Sequence, residues 1–256
     1  MTFYDKDRQT SLLCYKQIAL DMEDASMSDH QSRLVTALIS AKQTEWRSYT
    51  HHPFVQQLGA GTLPKLAFLH YLRQDYVFLI HFARAWALAV VKSDRISEMR
   101  IAAGTVHALI DEEMKLHIAT CAEEGISEQD LAATEESPAN LAYTRFVMDT
   151  GLKGDLLELL VALAPCAFGY GEIGLRLAEE SKGPPPGHPY RNWIATYAGE
   201  DYQSVCETVG TLVDDVAERT IGGPVVSSPR WPALTETFAT ASRLEVDFWQ
   251  MGLDGS

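Results

Sequence analysis

Apolar residues recur every three or four positions along most of the chain, and strand-like alternation is nearly absent. This spacing is typical of amphipathic helices, whose apolar side chains fall on one face. Long segments of this kind cover residues 61–93, 94–125, 137–151, 154–181, 190–219 and 231–252. The pattern therefore predicts an all-α protein, built as a multi-helix bundle.

Residues that favour helix ends mark several of these segments. Thr62, Ser137 and Asp155 stand where N-capping side chains are expected, and Asp155 has an acidic residue three positions later, in capping-box spacing. Gly125 and Gly151 stand where helices commonly end. These signals divide the chain into helices of ordinary length.

The domain organisation is simple. There is no internal repeat and no shift in composition that would separate two domains. The sequence predicts a single helical domain over 31–256, with 1–30 as an added helix on its outside. The strongest loop signal is GPPPGHP at 183–189.

Composition excludes several classes of function. Twenty-one basic against thirty-five acidic residues give a net charge of −14, which argues against nucleic acid or an anionic membrane as partner. The N-terminus does not resemble a signal peptide, and no run of about 18 apolar residues suggests a membrane span. The four cysteines form no Cys-x-x-Cys pair, so neither a disulfide framework nor a zinc site is indicated. We expect a cytoplasmic protein.

Polar groups interrupt three otherwise apolar helix faces: Asp75 in 61–93, Cys166 in 154–181 and Glu245 in 231–252. Their apolar companions at helical spacing are Leu72, Leu79, Phe82 and Trp86; Ala162, Tyr170 and Ile173; and Leu234, Phe238, Ala241 and Phe248. A single buried carboxylate usually pairs with an arginine or a backbone donor, and a single buried cysteine usually acts as a small hydrophobe. Three such groups together favour a shared polar pocket, because burying unpaired carboxylates is costly.

The surroundings of these three groups indicate the kind of ligand. Aromatic residues are dense nearby: Phe78, Tyr143, Tyr170, Tyr197, Phe248 and Trp249. Most aromatic residues in a bundle serve only core packing, but an aromatic-walled cavity with a few polar anchors suits a flat heterocycle.

A metal site is the rival interpretation. His107 and Asp111 are four residues apart, as are Glu113 and His117. Di-iron bundles use Glu-x-x-His on two helices, and this chain has Glu-x-x-x-His instead. The segment is rich in charge, so a solvated face is the favoured interpretation.

Ordered motifs along most of the chain resemble the TenA / thiaminase II family. They are HPFVQQLGAGTLPKLAFLHYLRQDYVFLIHFARAWA, SPANLAYTRFV, APCAFGYGEIG, HPYRNWIATYAGEDY and SRLEVDFWQM. The resemblance implies a haem-oxygenase-like bundle. It also implies hydrolysis of 4-amino-5-aminomethyl-2-methylpyrimidine to the 5-hydroxymethyl pyrimidine and ammonia, with thiamin as a further substrate in many members.

The resemblance also implies roles for individual residues. Cys166 matches the nucleophile, Glu245 the catalytic glutamate, and Asp75 the aspartate that holds the aminopyrimidine edge. The aromatic residues of the family's pocket correspond to Phe78, Tyr143, Tyr170 and Tyr197. It implies no metal or cofactor, a small pyrimidine as partner, and a homotetramer. Residues 1–30 have no counterpart in it.

Pro165 and three glycines lie close to Cys166, within LAPCAFGYGEIG at 163–174. Proline and glycine are unfavourable inside helices. We expect Pro165 to kink the helix and the glycines to let a flat ring approach the backbone beside the thiol. Two other functions stay open: a haem-oxygenase-like metal oxidase, and a non-catalytic protein that binds a pyrimidine.

Overall fold

The computed structural model describes residues 32–183 and 185–255, and within them the regular structure is helical, with no strand. The α-helices are α1 (Arg33–Ala41), α2 (Gln43–Thr50), α3 (Pro53–Gly59), α4 (Lys65–Lys92), α5 (Ile96–Ala108), α6 (Met114–Glu123), α7 (Glu128–Ala132), α8 (Pro138–Lys153), α9 (Leu156–Glu180), α10 (Arg191–Ala198), α11 (Glu200–Ile221) and α12 (Trp231–Asp254). A π-helical segment, Leu109–Glu113, joins α5 to α6, and Val225–Ser227 forms a 3₁₀ turn. The all-α prediction is confirmed. The helix predicted over 1–30 lies outside the described residues.

Helix α9 is the centre of the bundle. It begins at a capping box in which Asp155 accepts from the Glu158 backbone N–H and Glu158 accepts from that of Asp155, as predicted. The helix continues through Pro165 to Glu180. It packs against α8, α10, α11 and α12, while α4 and α12 also contact each other. The site residues on these helices are therefore held by a single core.

By length and composition alone, α9 could cross a membrane. However, 83% of its most apolar stretch is buried inside the bundle. Its apolar character is explained by this central position, since a helix surrounded on all sides by other helices is hydrophobic all round.

The glycines of α9 serve helix packing, and the expectation that they admit a ligand ring is wrong. A Cβ on Gly169 would lie 2.1 Å from the ring of Tyr49, and one on Gly174 would lie 2.4 Å from the backbone of Tyr197. A Cβ on Gly171 would lie 3.0 Å from the Cys206 sulfur. The absent side chains let α2, α10 and α11 approach α9 closely.

Two predicted helix ends are also wrong. Thr62 does not cap α4, because its N–H and hydroxyl both donate to the carbonyl of Gln57 in the preceding turn. The helix begins at Lys65 instead. Gly151 does not end α8, which continues to Lys153. A glycine at this position instead leaves room for the side chains of Leu88 and Leu159.

Candidate active site

A cavity lies where α4, α9, α10 and α11 meet, beside the π-helical segment. It is lined by Asp75, Phe78, Leu79, Phe82, Glu113, Cys166, Tyr170, Tyr197 and Tyr202. Five of the residues that the sequence placed in a site therefore share one cavity: Asp75, Phe78, Cys166, Tyr170 and Tyr197. The structure brings these five side chains together, while their place in an active site and their chemical roles remain predictions.

The other two, Glu245 and Tyr143, lie beside this cavity. The Tyr143 hydroxyl donates a 2.8 Å hydrogen bond to Glu245 Oε1, and both side chains are buried. The Tyr143 ring packs on Phe78, with 5.2 Å between centroids. The charge of Glu245 raises the pKa of Cys166, which places the carboxyl within electrostatic reach of the thiol.

Asp75 is held by neighbours on three helices. Tyr71, one turn earlier on α4, donates to its Oδ2 at 3.3 Å, and Trp193 on α10 donates to the Tyr71 hydroxyl at 3.2 Å. His117 Nδ1 lies 3.6 Å from the same Oδ2, and His117 Nε2 contacts the carbonyl of Leu72. These contacts fix the orientation of the carboxyl toward the cavity.

The protonation of Asp75 follows from this arrangement. Burial raises its pKa to about 7, although the Tyr71 hydrogen bond acts in the opposite direction. Burial also lowers the pKa of His117, which favours the neutral ring. With Nε2–H donating to the Leu72 carbonyl, Nδ1 carries a lone pair toward Asp75. A neutral imidazole adds no positive charge that would favour the carboxylate, so burial decides the protonation of Asp75.

Glu245 is also a weak acid in this site. Burial raises its pKa to about 8, with a further contribution from the charge of Asp75, while the Tyr143 hydrogen bond lowers it. A glutamate with this pKa is mostly protonated at neutral pH. It can therefore donate a proton to a basic ring nitrogen.

The thiol of Cys166 is not ionised in the free site. Burial raises its pKa well above the usual range, and the charges of Glu245, Glu113 and Asp75 act in the same direction. A nucleophilic attack therefore needs a base that accepts the thiol proton as the carbon–sulfur bond forms.

Aromatic rings form the wall opposite α4. Tyr170 packs against Tyr197 at 4.9 Å between centroids, and Tyr197 packs against Tyr202 at 4.8 Å. The Tyr202 hydroxyl donates to the carbonyl of Ala167 on α9 at 3.1 Å. Tyr202 is not apparent as a site residue from the sequence, because it follows two acidic residues in the first turn of α11. Its place at the end of the HPYRNWIATYAGEDY motif was the available signal.

The charged segment between α5 and α6 is only partly solvated, which corrects one prediction. His107 and Asp111 form an exposed 2.8 Å pair, as a solvated face requires. In contrast, Glu113 lines the cavity and His117 is buried. The π-helical turn accounts for the difference, since its extra residue changes which side chains face inward. Over 32–183 and 185–255, no three His, Cys, Asp or Glu side chains are grouped as a metal site requires.

The remaining described cysteines do not line the cavity. Cys121 and Cys206 are buried free thiols, and burial raises their pKa values to about 11 and about 12. No disulfide is formed among the cysteines that the structure describes, and Cys14 lies outside that part of the chain.

A solved structure and two protein sequences are similar to this chain. A crystal structure described as a TenA family transcription regulator, from Silicibacter sp. TM1040, is 58% identical with a TM-score of 0.85, covering 89% of this chain and 99% of that one. An aminopyrimidine aminohydrolase of Halalkalibacterium halodurans is 35% identical over 84% of this chain and 93% of its own length. An uncharacterized protein of Haemophilus influenzae is 42% identical over 86% of this chain and 99% of its own.

More distant similarity concerns the fold alone. A domain of unknown function from Shewanella denitrificans, described as having a heme oxygenase-like fold, is 17% identical with a TM-score of 0.61, over 90% of this chain and 97% of that one. The haem-oxygenase-like bundle expected from the sequence is thereby confirmed. The profile of the TENA/THI-4/PQQC family matches residues 39–255. The chain belongs to the TENA/THI-4/PQQC family.

Proposed function

We propose that the protein is an aminopyrimidine aminohydrolase of thiamin salvage. It converts 4-amino-5-aminomethyl-2-methylpyrimidine and water to the 5-hydroxymethyl pyrimidine and ammonia. The observation that carries the proposal is that a thiol, Cys166, and a weakly acidic carboxyl, Asp75, line one aromatic-walled cavity, with a second weak acid, Glu245, beside it. The name of the Halalkalibacterium halodurans relative supports the same reaction.

Asp75 binds the edge of the ring that carries N3 and the 4-amino group. A protonated carboxyl donates its O–H to N3 and accepts from the amino group, which matches a neutral aminopyrimidine at both positions. The raised pKa of Asp75 supports this protonation state. Tyr71 and His117 keep the carboxyl in the required orientation.

Cys166 and Glu245 carry the covalent step. Glu245 gives its proton to N1, the Cys166 sulfur bonds to the ring carbon beside N1, and the resulting Glu245 carboxylate accepts the thiol proton. The net change is addition of S–H across the carbon–nitrogen bond, so no free thiolate is needed. Electrons from the ring and its amino group then form the exocyclic C=C bond as ammonia leaves with the C–N electron pair.

Water completes the reaction. It adds to the exocyclic methylene, electrons return to the ring, and the carbon–sulfur bond breaks as N1 releases its proton to regenerate the thiol. Splitting one displacement into addition and elimination lowers each barrier. Thiamin is a second substrate by the same steps, with the thiazole as leaving group. We also propose a cytoplasmic homotetramer, as the family resemblance implies.

The test measures release of ammonia and of the hydroxymethyl pyrimidine. Cys166→Ser is expected to bind the pyrimidine and lose more than about a hundredfold in kcat, since little of a serine hydroxyl is ionised near neutral pH. Cys14→Ser, Cys121→Ser and Cys206→Ser are the controls and keep kcat within severalfold. Comparing kcat/KM for the aminopyrimidine and thiamin identifies the preferred substrate.

Other results would favour the alternatives. Near wild-type turnover by Cys166→Ser, or activity that follows bound iron, would replace the covalent mechanism with a metal oxidase. Tight binding of the pyrimidine without turnover by the wild type would make the protein a carrier or regulator.

A further inference from the structure

Glu113 is a third carboxyl at the cavity, and the proposed reaction leaves it without a role. It is the last residue of the π-helical segment, Leu109–Glu113, and comes from a different element than Asp75 and Glu245. Four residues before and after it, Leu109 and His117 are buried. The π-helical turn therefore places Glu113 on the same inward face of the segment as Leu109 and His117. Such turns are frequent at functional sites.

Glu113 has no protein partner among the described residues. Asp75 accepts from Tyr71, and Glu245 accepts from Tyr143. The Glu113 carboxyl, in contrast, receives no hydrogen bond and no ion pair from 32–183 or 185–255, although burial and the charge of Asp75 raise its pKa to about 8. Because Glu113 lines the cavity, its carboxyl is available to a ligand that donates hydrogen bonds.

The composition of the cavity lining indicates which donor fits. It contains two carboxyls and a thiol, and none of the lining residues is a lysine or arginine. No lining group can pair with a phosphate, whereas a carboxyl that gives up its proton can pair with a cation. The aminomethyl arm of the proposed substrate carries a primary ammonium near neutral pH. This group offers three N–H donors and a positive charge.

We propose that Glu113 binds the exocyclic ammonium of the substrate and makes the site selective for pyrimidines with a cationic aminomethyl arm. The inference rests on the proposed function, in which Asp75 and Glu245 bind the ring and leave the arm for the remaining carboxyl. The thiazolium of thiamin is also a cation, but it has no N–H to donate. Glu113 therefore favours the aminomethyl compound over thiamin and over the hydroxymethyl product.

The experiment compares two ligands that differ only at the arm. In a Cys166→Ser background, which blocks turnover, calorimetry gives the Kd of the aminomethyl and hydroxymethyl pyrimidines at pH 7.5. Glu113→Gln keeps the size of the side chain but cannot ionise to pair with the ammonium. It is expected to weaken the aminomethyl ligand at least about tenfold and the hydroxymethyl ligand less than about threefold. Glu112→Gln, the adjacent partly exposed residue, is the matched control and changes neither.

Each outcome decides the question. An aminomethyl Kd that Glu113→Gln leaves within about threefold overturns the inference, and so does an equal loss for both ligands, which indicates general damage to the cavity. If the wild type binds both ligands but releases no ammonia, the proposed reaction fails while the ammonium site stands on the two Kd values. If the wild type binds neither pyrimidine, both proposals are wrong.

Discussion

Tyr143 donates a 2.8 Å hydrogen bond to Oε1 of Glu245, and this bond opposes the effect of burial on the glutamate. A hydrogen bond to a carboxylate favours the ionised form, whereas the loss of water favours the protonated form. Burial is the larger influence, so the pKa of Glu245 is raised to about 8. Tyr143 keeps it from rising further, so the glutamate can both give up and recover a proton.

The pH dependence of turnover tests this balance. We expect kcat/KM for the aminopyrimidine to fall in two steps, near pH 7 as the free enzyme loses the Asp75 proton and near pH 8 as it loses the Glu245 proton. Tyr143→Phe removes the hydrogen bond that favours the Glu245 carboxylate, so the limb due to Glu245 moves to higher pH. Glu245→Gln lowers kcat/KM at every pH and removes this limb. A Tyr143→Phe profile displaced to lower pH would contradict the assignment of the limb to Glu245.

The same buried acids make stability depend on pH. The folded protein holds Asp75, Glu113 and Glu245 with pKa values of about 7, 8 and 8, all above their usual values near 4. Between pH 5 and 8 the unfolded chain binds fewer protons at these groups, so their contribution to the free energy of unfolding falls as pH rises. Urea unfolding at pH 5.5 and 8 measures it. Glu245→Gln is expected to reduce the loss, and an unchanged loss would mean that Glu245 does not contribute.

Asp75→Leu tests the binding of the aminopyrimidine edge. Leucine is close in size to the acid but can neither donate to N3 nor accept from the 4-amino group, so both ring positions lose their partner. We expect the Kd of the hydroxymethyl pyrimidine to rise at least about tenfold, because an unpaired buried group costs about 1–3 kcal/mol. Asp111→Leu, at an exposed position of the π-helical segment, is the control. Calorimetry showing equal product affinity for Asp75→Leu and wild type would remove Asp75 from the site.

The sequence was informative where one charge or thiol interrupted a regular apolar face. Asp75, Cys166 and Glu245 each stand on a stripe whose other members are buried, and helical periodicity alone is enough to place them inward. That these groups share one site could not be derived from periodicity, since it depends on how α4, α9 and α12 cross. The cost of burying unpaired carboxylates predicted it, and the family resemblance implied it as well.

The residues that were missed lie where the backbone departs from a regular helix. Glu113 is the last residue of a π-helical segment, so the spacing of a regular α-helix predicts the wrong direction for its side chain. Tyr202 lies in the first turn of α11, where acidic neighbours mask its inward position. The sequence predicts that the glycines of α9 leave space for a ligand, yet at Gly169 and Gly174 this space is filled by neighbouring helices. A glycine inside a helix is recognisable as unusual from the sequence, but the sequence does not show which group packs against it.

Gly174→Ala tests the packing role of these glycines. The added Cβ would lie 2.4 Å from the Tyr197 carbonyl carbon and 2.7 Å from the Ala198 nitrogen, and backbone atoms cannot move aside as a side-chain end can. The strain exceeds the gain of about 1 kcal/mol that alanine brings to a helix, so we expect a net loss of about 1–3 kcal/mol and a fall in Tm of several degrees. Gly223→Ala, where no atom lies within 4 Å and φ is not positive, is the control and should stay within about 0.5 kcal/mol of wild type. Because Tyr197 lines the cavity, displacement of α10 should also raise KM for the aminopyrimidine in Gly174→Ala. Equal Tm values for the two variants would show that α10 can shift without cost and that Gly174 is not needed for its close approach.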